Sequence, residues 1–442
     1  MESIVTVLLC VYLAATLRYS GGIYGFLKLF LFAHVFGDFI SDDYWTYTQT
    51  NYNDLRDIPS DVRLYGNLYL GIAIFAADVG FLLVRRYLMK NDRVVHYGGQ
   101  CGFGVSKPLG LTLLVVGFSV DLFIASKVGF LYVTPSETVG YYGLYGVANT
   151  LIPIGAGAFF GLNIIPAMVV FLVASLFSYS KAQAVISLLL YLAYCAYGYG
   201  IVRLRAAVVR EIFSVKGVAI VLIMITLIGA RVVTRSGGQM GDVAIDGLAR
   251  NIILATDARF LGGIHRTYLA ATDEVLSGRM ETMEGYYHFQ TLYLWIPHAL
   301  WKDKPPVASQ EVYFYVHAIE PYGTSFAINP FGYLLIDYGL FGAWFGMLLL
   351  GAGLAYIEGR LVRGVSHWST SEDKRAMGAG FIAVWVALSF PLSEAGIPPL
   401  ILLGGSYSVA CVVGFLAYRA VCLVGPRRPF LGAAKQEKSH QD

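Results

Sequence analysis

Residues 328–357 read INPFGYLLIDYGLFGAWFGMLLLGAGLAYI. Asp337 is the one charged side chain in those thirty residues. A helix needs about 20 consecutive apolar residues to cross the hydrocarbon core of a bilayer, so this stretch is long enough to span. Arg360 and Arg363 follow it closely. Before it lies a region rich in histidine, basic and aromatic residues.

Working outward, the same pattern recurs. Apolar stretches lie at 3–17, 23–40, 67–84, 108–133, 147–162, 164–180, 182–202 and 217–230 on the N-terminal side, and at 376–393 and 399–418 on the C-terminal side. The pair around Asn163 reads either as two short spans or as one bent element. The fold class is therefore all-α, a polytopic integral membrane helix bundle of about 11 spans with a large helical loop on the outer side. The divisions are a transmembrane bundle over 1–230 with an outer loop at 41–66, the large loop over 231–329, C-terminal helices over 330–424, and a cytoplasmic tail over 425–442.

Composition excludes most alternatives. Hydrophobic residues make up 57% of the 442 and charged residues 14%, against about 25% charged in soluble domains. Mean hydropathy is +0.61. A chain this apolar cannot bury itself in one water-soluble core. The net charge of +3 is too small to argue for nucleic acid or any other polyanionic partner. Cys10, Cys101, Cys195, Cys411 and Cys422 fit no zinc or CxxC spacing and read as free thiols. The first apolar run has no basic flank or small-residue cleavage site, so it reads as a span and not a signal peptide.

Basic residues set the orientation. Taken alternately, one set of loops holds 19 of the 32 lysines and arginines, and the short loops of the other set hold Arg56, Arg63 and Lys181. Positively charged loops stay in the cytoplasm, which places the C-terminus inside and the 41–66 and 231–329 loops outside. Within the bilayer the ionisable residues singled out are Asp78, Asp121, Lys127 and Asp337. Lys127 can snorkel to the interface, and Asp78 and Asp121 read either as structural groups or as contacts for a transported or bound substrate.

The large loop holds His265, His288, His298 and His317, four of the eight histidines. Residues 242–261 read as an amphipathic helix capped by Asp242, with Arg259 on its apolar side. An arginine there either snorkels to headgroups or meets a buried anion. Arg266 continues the same spacing. Glu284 and His288 stand at i, i+4, but two ligands alone make a weak metal signal. The glycine run 98–104 lacks the GK[ST] ending of a phosphate loop and reads as a linker.

Then come Leu292-Tyr-Leu-Trp295-Ile296-Pro297-His298-Ala299-Leu300-Trp301-Lys302-Asp303-Lys304-Pro305 and, on re-entry, Leu335-Ile336-Asp337-Tyr338-Gly339-Leu340-Phe341-Gly342. Together with the topology, these two blocks resemble those of the bacterial O-antigen polymerases of the Wzy type, which carry an IPR-aLW-PDKP-like block in a large periplasmic loop and re-enter the membrane at YxxFGxxG. The chain departs from the pattern at His298, where arginine is usual, and at Lys302, where proline is usual.

The resemblance implies a glycosyltransferase-C-like fold in the bacterial inner membrane, with its active site facing the periplasm. The implied activity joins oligosaccharide repeat units carried on undecaprenyl pyrophosphate into surface polysaccharide, as in lipopolysaccharide biosynthesis. A flippase and a chain-length regulator are implied partners, membrane lipid surrounds the protein, and no cofactor or metal is called for. Such transfer needs a base for the attacking hydroxyl, cations for the leaving pyrophosphate and surfaces for sugars. His298, then His288, with Asp303, are the candidate catalytic residues. Arg259, Arg266, Arg279, Lys302 and Lys304 are the candidate pyrophosphate ligands, and Trp295, Trp301, Tyr313 and Tyr322 the candidate sugar contacts. An O-antigen ligase or another polyprenyl-phosphate-dependent glycosyltransferase has the same layout. A lipid-linked oligosaccharide flippase, of a different class, would place its ionisable groups near the midplane.

Overall fold

The computed structural model describes residues 2–17, 20, 22–40, 58–91, 106–128, 142–175, 181–220, 223, 263–293, 301, 328–367, 372–395 and 397–424. Among them the regular structure is helical. The elements are α1 (Glu2–Leu17), α2 (Gly22–Ile40), α3 (Ser60–Asn91), α4 (Lys107–Val128), α5 (Tyr142–Phe160), α6 (Ile164–Ser175), α7 (Lys181–Tyr199) and α8 (Ile201–Ile212). They continue with α9 (Gly263–Leu276), α10 (Tyr286–Phe289), α11 (Pro330–His367), α12 (Glu372–Ala387), α13 (Ser389–Ala395) and α14 (Ile397–Val424).

Among the described residues six segments are long and apolar enough to cross a membrane: Gly22–Ile40, Ser60–Leu88, Lys107–Val128, Pro330–Arg363, Lys374–Ser393 and Leu403–Leu423. Four shorter apolar helices accompany them, at Glu2–Leu17, Leu144–Phe160, Ile164–Ala174 and Ile186–Tyr199. Of the sequence-read stretches, 217–230 lies mostly outside the described residues, as does the helix expected over 242–261.

Small residues set the closest packing. A Cβ on Gly80 would sit 2.1 Å from the Leu348 carbonyl oxygen, and one on Gly351 would sit 2.0 Å from that of Ala77. Backbones that approach this closely gain van der Waals contact, which drives helix association where lipid removes the hydrophobic incentive. The helices joined this way, α3 and α11, run parallel. Trp344 Nε1 donates to the Tyr69 carbonyl (3.2 Å) and Arg363 Nη2 to that of Leu88 (2.9 Å). Both bonds join residues 275 apart, so the register holds along the pair.

Arg85, Arg360 and Arg363 belong to one end of the α3–α11 pair, which we call the basic end. At the far end, Arg63 pairs with Glu2 (3.4 Å) and α9 docks on the starts of α3 and α11 and the end of α2.

Two acids, partly buried Glu211 and buried Glu358, serve as helix caps in trans. Glu211 Oε2 accepts from the N–H groups of Ile164 (2.7 Å) and Ile165 (3.0 Å) at the start of α6. Glu358, on α11, accepts from the backbone of Ile23 at the start of α2 and from the Tyr197 hydroxyl (3.5 Å). First-turn N–H groups have no partner within their own helix, so a carboxylate from a neighbour satisfies both sides. The aspartate at 78 is likewise a paired group. Lys28 Nζ donates to both its oxygens (2.8 and 3.0 Å), and Tyr12 and Tyr24 add hydroxyl bonds of 2.6 and 2.9 Å. Lys28 was not among the ionisable residues singled out in the sequence. Asp121 is buried.

Candidate functional site

The site begins with how α11 starts. Asn329 Oδ1 accepts from the Gly332 N–H (2.8 Å), and Pro330 stands at the first helical position, where its missing N–H costs nothing. Every residue from 328 to 337 is buried. The helix is then interrupted at Gly339, whose φ of 68° and ψ of −175° suit glycine and few other residues.

The interruption frees carbonyls. In an unbroken helix those of Ile336 and Asp337 would bond four residues ahead. Here they accept from the N–H groups of Met283 (2.9 Å) and Gly285 (3.2 Å). Two successive positive-φ residues, Glu284 at 51° and Gly285 at 89°, then turn the chain into α10. Glu284 therefore lies ahead of the helix and shares no helical face with His288.

This docking delivers α10 to the Asp337 side chain. Asp337 Oδ1 accepts from the Tyr287 N–H (3.0 Å) and Oδ2 from the His288 N–H (2.9 Å). His288 Nδ1 is 2.5 Å from Oδ2. A carboxylate can only accept, so Nδ1 carries a hydrogen, and in the neutral ring the lone pair is then on Nε2. Asp337 is fully buried and the His288 side chain 13% exposed. Nε2 itself is buried and has no hydrogen-bond partner among the described residues. The ring lies between aromatics, 5.4 Å from both Tyr287 and Tyr338. Tyr287 stacks on Tyr333 at 4.2 Å, holding α10 to α11. A carboxylate orienting an imidazole whose second nitrogen is left as an acceptor is the arrangement of a general base.

A second polar cluster lies where α9 meets α1, α2 and α3. Arg266 is fully buried, with Nε 2.6 Å from Asp38 Oδ1. His265 Nε2–H donates to Asn67 Oδ1 (2.8 Å) and lies 4.0 Å from Asp38 Oδ2. Asn67 in turn donates to the Thr6 hydroxyl (2.8 Å), and the Tyr268 hydroxyl donates to the Gly66 carbonyl (2.7 Å). Burial above all, then Arg63 and Arg266, pushes the His265 imidazolium down to about 3, so the ring is neutral near pH 7. A buried cation beside a buried carboxylate is compensated. A pyrophosphate reaching Arg266 would compete with Asp38.

The remaining sequence-read positions separate. Arg279 is exposed and held by Asp273 (2.5 Å) and Glu274 (3.0 Å). Hydrogen bonds to Glu274 and then Asp273 push its guanidinium further up. Trp301 is exposed at its edge and packs against Tyr293 at 5.5 Å, four residues past the end of α10. His298, Asp303, Arg259, Lys302, Lys304, Trp295, Tyr313 and Tyr322 lie outside the described residues. No group of three or more possible metal ligands occurs among the described residues. Sequence reading picked out both His288 and Asp337 but did not join them, and it missed Asp38 as the partner of Arg266. Two acids in otherwise apolar helices were the available signal.

Compared with protein-family models, curated proteins and solved structures, the chain shows no match.

Proposed function

We propose that the protein is a glycosyltransferase that joins undecaprenyl-pyrophosphate-linked oligosaccharide repeat units into a surface polysaccharide, working at the far end of the bundle with His288 as general base. The supporting observation is the buried Asp337–His288 pair with its free acceptor nitrogen. The local likeness to O-antigen polymerases adds the substrate class. On this reading the basic end faces the cytoplasm of a bacterial inner membrane, the far end faces the periplasm, and a flippase and a chain-length regulator act in the same pathway.

A hydroxyl of one lipid-linked unit gives its proton to His288 Nε2 as its oxygen bonds to the anomeric carbon of another unit. The bond from that carbon to the pyrophosphate oxygen breaks, and the electron pair leaves with the pyrophosphate. Asp337 stabilises the imidazolium that forms and keeps the ring from turning. Arg259, Lys302 and Lys304 are the cations assigned to the leaving group.

The test is product length in a deletion strain carrying His288→Ala. Single-repeat product is expected to accumulate, with protein level unchanged. A wild-type ladder from this variant would remove the base assignment. Wild-type protein that adds one block to a different acceptor, with no ladder, would identify a ligase. The flippase reading gains nothing from Asp78, whose two oxygens already take four hydrogen bonds from three side chains.

A further inference from the structure

At the basic end, one helix carries a surface that the proposed reaction does not use. Gly200, with φ of 93°, turns the chain out of α7 into α8. Leu204 and Ala207 face inward and are buried. Glu211 ties the other end of α8 to the first turn of α6. α5 and α7 run parallel, joined by Ser187 to the Asn149 carbonyl (3.4 Å) and Tyr199 to that of Gly157 (3.5 Å). The end of α7 and the turn from α5 to α6 are therefore at the same end of the bundle. Held there at both its ends, α8 lies across the basic end and does not cross the membrane.

Opposite its buried face, Val202, Ala206, Val209 and Phe213 form a stripe at i, i+4, i+7 and i+11. Val202 is 78% exposed and Phe213 79%. At 3.6 residues per turn, Arg205 falls on one flank of the stripe and Arg203 and Arg210 on the other, and all three are exposed. Arg210 also contacts Glu211 Oε1 (3.1 Å). Glu211 is the one acid on α8, and its other oxygen is turned inward to α6. Exposed Val215 and Val218, with Lys216 between them, continue the mixture.

We propose that this face binds the anionic phospholipid headgroups of the membrane the protein spans. The stripe dips into the acyl boundary, and the arginines on both sides take the phosphates. Apolar side chains this exposed are unfavourable in water. One sign of charge on both flanks suits a surface that is negative on both sides, which a leaflet supplies everywhere and a partner helix supplies only with acids at two separate positions.

The test uses full-length protein with Cys101 and Cys422 changed to Ser, and bimane attached at Val209→Cys. The carrier is vesicles of phosphatidylcholine, with or without phosphatidylglycerol. With phosphatidylglycerol present, acyl-brominated lipid is expected to lower the fluorescence by about twofold, near the value for a probe at the outward-facing Val115 of α4. The double variant R203Q/R205Q should return the Val209 signal to its level in phosphatidylcholine alone while leaving the Val115 probe unchanged. Quenching by aqueous iodide but not by bromolipid would put the stripe in water and overturn the proposal. Equal quenching in both lipids, indifferent to the double variant, would overturn headgroup recognition. Shielding from both quenchers would mean that a protein surface, such as a second copy of the chain, covers the stripe, and would overturn it as well.

Discussion

Asp337 accepts three N–H groups, two from the backbone of α10 and one from the His288 ring. The backbone bonds hold the carboxylate still, so the ring bond is directional. Asp337→Asn would offer its amide to Nδ1 and favour the opposite tautomer, with the lone pair turned away from the acceptor. Turnover of a lipid-linked repeat by the variant in vesicles is expected to fall by about 10²–10⁴-fold, with the folded yield preserved. Unchanged turnover would show that Asp337 serves only to cap α10.

His265 gives a different residue-scale test. Its folded-state value, about 3, lies below the ordinary histidine value of 6.5. The unfolded chain therefore binds the proton more readily. Stability is complete above about pH 6.5 and is lost as pH falls toward about 3, by roughly 1.4 kcal/mol per unit within that window. Thermal unfolding at pH 7 and pH 5 should show a smaller loss for His265→Gln than for the wild type. Equal losses would place the acid sensitivity elsewhere.

Among the elements, α9 is fastened to the bundle by a compensated charge. Arg266→Ala removes the cation bonded to buried Asp38, a change that costs about 3–5 kcal/mol. The expected result is loss of monodisperse protein on size exclusion, with Asp38→Ala failing in the same way. A stable Arg266→Ala protein that lacked polymer would instead favour the pyrophosphate role. Gly339→Ala forces a conformation costing about 1–3 kcal/mol on a residue with a Cβ. A Cβ there would meet Thr282 Cγ2 at 3.8 Å, an ordinary contact distance, so strain and not crowding is the mechanism. On the proposed activity, polymer from this variant should shorten or vanish while the spans remain intact by circular dichroism.

These two elements also mark the extent of what the sequence disclosed. Apolar runs such as 108–133 and 328–357 are legible because lipid leaves the backbone few options. His288 is legible as a titratable group in a large loop. The break at Gly339 is not, because Asp-Tyr-Gly-Leu-Phe-Gly reads as the entry of a continuous helix. The pairing of His288 with Asp337 depends on carbonyls which that break releases to residues some fifty positions earlier, and no periodicity encodes it. Lys28 was hidden for a similar reason, since its partner Asp78 sits on another helix.

For the whole molecule, sidedness is the quantity to measure. Cys422 is exposed near the end of α14, at the basic end. In a Cys101→Ser background, an impermeant maleimide should label it only after the membrane is opened. The same reagent should reach Ser277→Cys, just past α9, in intact spheroplasts. Labelling of Ser277→Cys from the cytoplasmic side alone would invert the orientation and remove the periplasmic reading.

The constant offset of 275 between α3 and α11 ties chemistry at one face to phase at the other. Each residue added to an α-helix rotates the remainder of that helix by about 100°. One residue inserted between Trp344 and Arg363 therefore unseats either Trp344 from Tyr69 or Arg363 from Leu88. The helix tolerates swaps of similar volume along this length but not changes of length. Natural variation there should appear as substitution without gaps.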